Sequence, residues 1–432
     1  MRGLLLLGVV LGLMGGSVEL QAKPEEPGPV GAEQFRTYAA DAERELRGDI
    51  LPFWLAHARD PRGGFFGRID YGMRVYPDAP RGMLLTARIL WTFSAAYRRF
   101  HDPAYLAMAK DAYRDLITHG IDPRYGGLFW TVAPDGKPVV ASKLIYGEVF
   151  GIYGLAEYYR TTHDQAALDQ AIALYRLVEQ HAHDHRNGGY FEGFDRAWRR
   201  DDRVQLKLMG GNGPKSQNTH IHILEAYTNL LRVWPDPGLK QNVRELTDLL
   251  LTRIIDPKTH HLILFFQDDW TPVSDVISFG HDIELSWLIV EAAEELGDPA
   301  LVARAKAESI RIARATAAQG VDRDGGIMNE ADPHGLTNTN KDWWPQAEAC
   351  TGFLNAYQLT GDPAFFADSR HTWEFIQTKG IDRKNGDWYQ SVTRDGQPRP
   401  LDRLSVWKCP YHNSRACLQL IDRCEALESA GR

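Results

Sequence analysis

Cysteine is scarce in this chain. The four present in 432 residues, Cys350, Cys409, Cys417 and Cys424, show neither zinc-site spacing nor a Cys-x-x-Cys redox pair. Buried thiols are expected, although export would permit a disulfide. Positive charge is also short, and a formal net charge of -8 argues against nucleic acid or an anionic membrane as partner. A dinucleotide-binding glycine fingerprint and a phosphate loop are both missing; GGNGPKS at 210–216 is glycine-rich but wrongly spaced. No HExxH pair is present either. Beyond the first residues, no apolar run approaches the length a bilayer span needs. These absences leave a protein with an ordinary core, 44% hydrophobic and 25% charged, and chemistry expected to need no cofactor.

The first residues stand apart. Arg2 precedes LLLLGVVLGLMGG and then SVELQA, which reads as a secretory signal over 1–22 cleaved after Ala22. Leu20 is large for the position three before the cut, and no adjacent cysteine could take a lipid. Residues 23–32 read as a Pro/Glu-rich leader, and 33–432 as one folded domain. An exported, periplasmic monomer free of the membrane after cleavage is the expectation.

What the chain does have is a repeat. DPRGGFF from Asp60, DPRYGGLFW from Asp122, DHRNGGYFE from Asp184, DPKTHHLILFF from Asp256, DRDGGIMNE from Asp322 and DRKNGDWYQ from Asp382 begin 62, 62, 72, 66 and 60 residues apart. A period that long marks an array of supersecondary units. Inside each unit a second mark, Asp102, Asp164, Asp236, Asp298 or Asp362, opens an amphipathic segment, usually with Pro or a small residue close behind. An Asp followed by Pro starts a helix, because the carboxylate caps free amides and Pro tolerates the first helical position. Another apolar, Pro-free segment precedes each of these Asp residues. Each unit is therefore helix, Asp turn, helix and Gly-aromatic loop. The last unit stops after one helix, YHNSRACLQLIDRCEALES, and a helix from about Glu33 to His57 can supply the twelfth. The predicted fold class is all-α, an (α/α)6 barrel of six inner and six outer helices.

Polar residues fall at matching depth on the inner helices. Fourteen residues before the turn Asp stand Arg88, His222, Glu284 and Glu348. About one helical turn earlier come Asn218 and His281, with Tyr146 and Glu148 at a similar level in the second unit and Tyr411 and His412 opening the sixth. Taken singly, each could be a satisfied buried group; ionisable groups gathered at one depth point to a site, because burying them costs stability. A metal is not expected, since His220 and His222 are two apart on a helix and point in nearly opposite directions. Twelve Trp and seventeen Tyr suit a cavity where sugar C–H faces stack on rings, though most aromatics fill cores. Imidazoles titrate near neutrality and suit proton removal and return at a carbon beside a carbonyl, with Arg88 holding the oxyanion.

The strings TARILWTFSAAY, NTHIHILEAYTNL, SFGHDIELSWL, WWPQAEA and VWKCPYHNSRAC resemble the cellobiose 2-epimerase branch of the N-acylglucosamine 2-epimerase superfamily. The resemblance runs from about Glu33 to the C-terminus. It implies reversible epimerisation at C2 of the reducing-end glucose of β-1,4-linked disaccharides, through a cis-enediol that turns about C2–C3. It further implies that His281 and His412 are the acid/base pair, with His412 also helping to open the ring. Arg88 would contact the reacting oxygens; Tyr146, Asn218, His222, Glu284 and Glu348 would bind hydroxyls or orient the histidines. Trp344 and Trp407 would be stacking platforms. Relatives are expected in the cytoplasm, so the export signal shifts the expected sugar toward oligosaccharides met before uptake, mannobiose among them. The competing readings are a monosaccharide or N-acylglucosamine epimerase or aldose–ketose isomerase, a glycoside hydrolase using Glu148, Glu284 or Glu348, and a sugar-binding protein without catalysis.

Overall fold

The computed structural model describes residues 30–431; the segment read as a signal, 1–22, and most of the expected leader lie outside the described residues. Fourteen α-helices run through them: α1 (Ala32–Glu45), α2 (Leu51–His57), α3 (Met83–Phe100), α4 (Pro103–Asp115), α5 (Ile145–Thr162), α6 (Gln165–Ala182), α7 (Asp202–Met209), α8 (Gln217–Leu231), α9 (Pro237–Leu249), α10 (Phe279–Leu296), α11 (Pro299–Gln319), α12 (Trp343–Thr360), α13 (Pro363–Phe375) and α14 (Tyr411–Ala430). Helices α3, α5, α8, α10, α12 and α14 form the inner ring. The first fourteen residues of α5 are all buried, as a helix wrapped on every side requires. The outer helices bury one stripe only, for example Tyr105, Met108, Ala109 and Ala112 on α4.

Each turn Asp acts as the sequence implied. Asp102, Asp164, Asp236, Asp298 and Asp362 accept hydrogen bonds from the amides of Ala104, Ala166, Gly238, Ala300 and Ala364 at 2.8–3.0 Å. The barrel closes where α1 packs on α14, which also lies against α12 and α3. A single π turn, Leu46–Ile50, joins α1 to α2, so the N-terminal helix is the twelfth of the ring. Helix α7, in the long third unit, has no counterpart in the repeat pattern.

The Gly-aromatic loops are tied down by charge. Two residues before four of the inner helices stand Arg81, Lys143, Lys215 and Lys341, and each pairs with the Asp that opens the preceding loop: Asp60, Asp122, Asp184 and Asp322. In the sixth unit Lys408 pairs with Asp387 at 2.6 Å; in the fourth, Ile277 replaces the cation. Removing one partner would strand a buried charge, a loss of about 3–5 kcal/mol. The glycines are equally constrained. At Gly189, φ is +73°, and a Cβ would approach the Trp270 ring to 2.4 Å.

Candidate active site

A second register runs two residues ahead of the cavity-facing one. Sixteen residues before the turn Asp come Glu148, His220, Asp282 and Gln346. Each accepts the amide that follows the loop turn: Leu128 at 2.9 Å, Tyr190 at 3.0 Å, Leu262 at 2.8 Å and Ile327 at 2.7 Å. Two residues along a helix turn a side chain to nearly the opposite face. These four therefore anchor loops, whereas Arg88, His222 and Glu284 face the barrel axis. Glu148 is thus corrected as a candidate hydrolytic carboxylate, since it points away from the cavity. Burial, only partly offset by Lys143, pushes it up to about 8. Its ordinary value is 4.5, so its contribution to stability is complete below that pH and is lost as pH rises through 8. Glu148→Gln keeps an acceptor for Leu128, so it should leave kcat unchanged and flatten the decline of Tm between pH 5 and 8. A large loss of kcat would put Glu148 back in the chemistry.

Nine of the ten sequence-derived residues line one cavity of about 280 Å³ at the N-terminal ends of the inner helices: Arg88, Tyr146, Asn218, His222, His281, Glu284, Trp344, Trp407 and His412. Both histidines edge the same indole. The Trp344 ring centre lies 4.6 Å from that of His281 and 5.6 Å from that of His412. Glu348 is the exception: it sits behind His412, its Oε1 2.7 Å from His412 Nδ1, and its Oε2 accepts from Trp287 at 3.1 Å. Trp343, the first residue of WWPQAEA, also lines the cavity, as do Asp342 and Gln390, which were not singled out in the sequence.

Across the cavity Arg88 is buried, at 2% exposure, and forms no ion pair with the described carboxylates. Its guanidinium lies 4.1 Å over the Phe150 ring and 5.1 Å from that of Tyr411, and it donates to Tyr146 Oη at 2.7 Å. A buried cation without a counter-ion suits an oxygen that gains charge during reaction. On the neighbouring helix α14, Arg415, which lies 4.4 Å from the same Tyr411 ring, organises the carboxylates. It donates to Glu284 Oε1 and Glu348 Oε1, each at 2.7 Å, and to Glu225 Oε1 and Tyr411 Oη. Glu225 in turn holds His222 Nδ1 at 2.9 Å. Glu284, Glu348 and His412 have the donor types of a metal site. One cationic nitrogen already bonds both carboxylates, however, so the spot is electrostatically occupied. The same sharing sets Glu284 and Glu348 side by side rather than across a scissile bond.

Burial keeps the imidazoles neutral. It drives His281 down to about 3, with a smaller push from His222. Burial and then the fields of Arg88 and Arg415 hold His412 well below its ordinary range. The carboxylate at Nδ1 can only accept, so His412 carries its proton there and presents the Nε2 lone pair to the cavity. Burial likewise raises Glu284 well above its usual range, Glu348 adding to it and Arg415 opposing. Since both imidazoles stay neutral on acidification, kcat/KM should hold its plateau through pH 6 and fall only in more acidic buffer. An acid limb centred at or above pH 6.5 would contradict this.

A closed helical toroid with two neutral imidazoles, an unpaired guanidinium and indole walls at its mouth defines a carbohydrate isomerase of the epimerase type. The comparisons narrow the class. The family model for N-acylglucosamine 2-epimerase matches residues 64–416. The chain is 41% identical over 384 residues to the cellobiose 2-epimerase of Bacteroides fragilis, covering 88% of this chain and 98% of the relative. It is 35% identical over 379 residues to that of Dictyoglomus turgidum, covering 88% and 96%. Among solved structures, cellobiose 2-epimerase from Bacillus thermoamylovorans superposes with a TM-score of 0.86 at 40% identity, over 90% of this chain and all of that one. The chain belongs to the N-acylglucosamine 2-epimerase family, in its cellobiose 2-epimerase branch.

Proposed function

We propose that the protein inverts C2 of the reducing-end sugar of β-1,4-linked disaccharides, cellobiose or lactose, with His281 and His412 as its two proton-transfer groups. The observation that carries this reading is the shared indole: both imidazoles reach one cavity wall, with Arg88 in the same cavity. In the opened sugar one neutral imidazole removes the C2 proton, and the C–H electron pair enters the C1–C2 enediolate beside Arg88. The imidazolium returns that proton to oxygen, giving a neutral cis-enediol whose O–H protons exchange with solvent as it turns about C2–C3. The second imidazole takes the enediol O–H proton and delivers it to the other face of C2 as the carbonyl re-forms. Bonds and protons balance, and no redox partner enters. Tyr146, Asn218, His222 and Glu284 bind hydroxyls, Trp344 stacks on the reacting sugar and Trp407 on the second. Glu348 orients His412.

Incubation with cellobiose or lactose in D2O, followed by NMR, tests the proposal. A C2 epimer carrying deuterium at C2, without free monosaccharide, is expected. Released glucose would instead indicate a hydrolase, and a ketose an isomerase. Turnover of monosaccharides alone would move the substrate to the smaller class. We further propose that the chain is exported through residues 1–22 and meets oligosaccharides such as mannobiose outside the cytoplasm. Cell fractionation that finds the full-length chain in the cytoplasm would refute that.

A further inference from the structure

Two inner helices begin at a serine in the same place, and the two serines do different things. At Ser216, the N-cap of α8, Oγ accepts from the amide of Thr219 at 3.2 Å, as a capping hydroxyl normally does. At Ser278, the N-cap of α10, Oγ caps no amide and lies 2.7 Å from Nδ1 of His281, the residue equivalent to Thr219. A cap of this kind is worth about 1 kcal/mol. Giving it up at the cavity, while keeping it one repeat earlier, is the sort of local exception that marks a functional position.

The two histidines are consequently held by different chemistry. A carboxylate, which can only accept, binds Nδ1 of His412. A hydroxyl, which can donate or accept, binds Nδ1 of His281. We propose that Ser278 is the positioning residue of His281. It aims Nε2 at the substrate and lets the ring exchange tautomers through the turnover, so that each histidine serves one epimer with its own partner, Ser278 for His281 and Glu348 for His412. The carboxylate stabilises an imidazolium at 412 and the hydroxyl does so less at 281, which makes the two half-reactions unequal.

This rests on the epimerase reading, and the experiment separates the two. Exchange of C2–H for solvent deuterium is followed by NMR from each epimer of the disaccharide, in the wild type, Ser278→Ala, Ser278→Thr and Glu348→Gln. Ser278→Ala should lower kcat on the order of ten- to a hundredfold with KM little changed. Its Tm should stay at the wild-type value, because no helix cap is lost. Exchange should slow in one epimer only; Glu348→Gln should slow the other, and Ser278→Thr should restore most of the rate. Equal slowing of both epimers, a lowered Tm, or an unaffected Ser278→Ala would overturn the assignment. A wild type that exchanges neither epimer would instead refute the epimerase reading itself.

Discussion

His281→Ala and His412→Ala are each expected to lower kcat for epimerisation by about 10²–10⁴, the range spanned by positioned acid/base groups. Far-UV circular dichroism should stay unchanged, because both side chains line the cavity. The effect is large because these are the two imidazoles that flank the Trp344 indole. Of the other lining groups, Glu284 is bonded through Oε1 to Arg415, and His222 lies against Tyr146 and Phe150 rather than against Trp344. Either variant retaining more than a tenth of wild-type kcat would remove that histidine from the chemistry.

Arg415→Met should have the largest effect on stability. The guanidinium is the one cation bonded to Glu225, Glu284 and Glu348 together, and all four groups are buried. Removing it leaves carboxylates facing one another without a counter-charge, a loss of about 3–5 kcal/mol. Read as Tm, that is on the order of 10 °C. The loss should shrink in acidic buffer, where Glu284 and Glu348 take up protons, and be greatest above neutrality. Arg415→Lys should recover little, since one ammonium cannot span three carboxylates as the fork does. An unchanged Tm in Arg415→Met would mean that the cluster is already neutral.

Much of this was legible in the sequence because it is local and repeated. The five turn Asp residues cap their helices from two residues away, so their spacing, with that of the six Gly-aromatic loops, pointed to the twelve-helix ring. The inner-helix register placed Arg88, His222 and Glu284 at one depth, for the same reason. What failed was resolution within a turn. Glu148 was grouped with Tyr146, although two residues of helix rotate it onto the loop, and the matching positions of His220, Asp282 and Gln346 could have shown this. Arg415 escaped because the sixth helix lacks the turn Asp from which the register is counted. Its partners also come from three other helices, a pairing of residues up to 190 apart. The cations two residues before the inner helices were visible in retrospect: Arg81, Lys143, Lys215 and Lys341 recur as regularly as the Gly pairs. The role of Ser278 was not, because Ser216 at the same repeat position is an ordinary cap.

The central claim is that two imidazoles approach opposite faces of one sugar carbon, and epimer-resolved exchange in the two alanine variants reads it most directly. In D2O, His281→Ala should wash deuterium into C2 of one epimer and His412→Ala into C2 of the other, neither forming the opposite epimer at an appreciable rate. Exchange into both epimers by a single variant, or the same epimer labelled by both, would place the two rings on one side of the carbon and end the account.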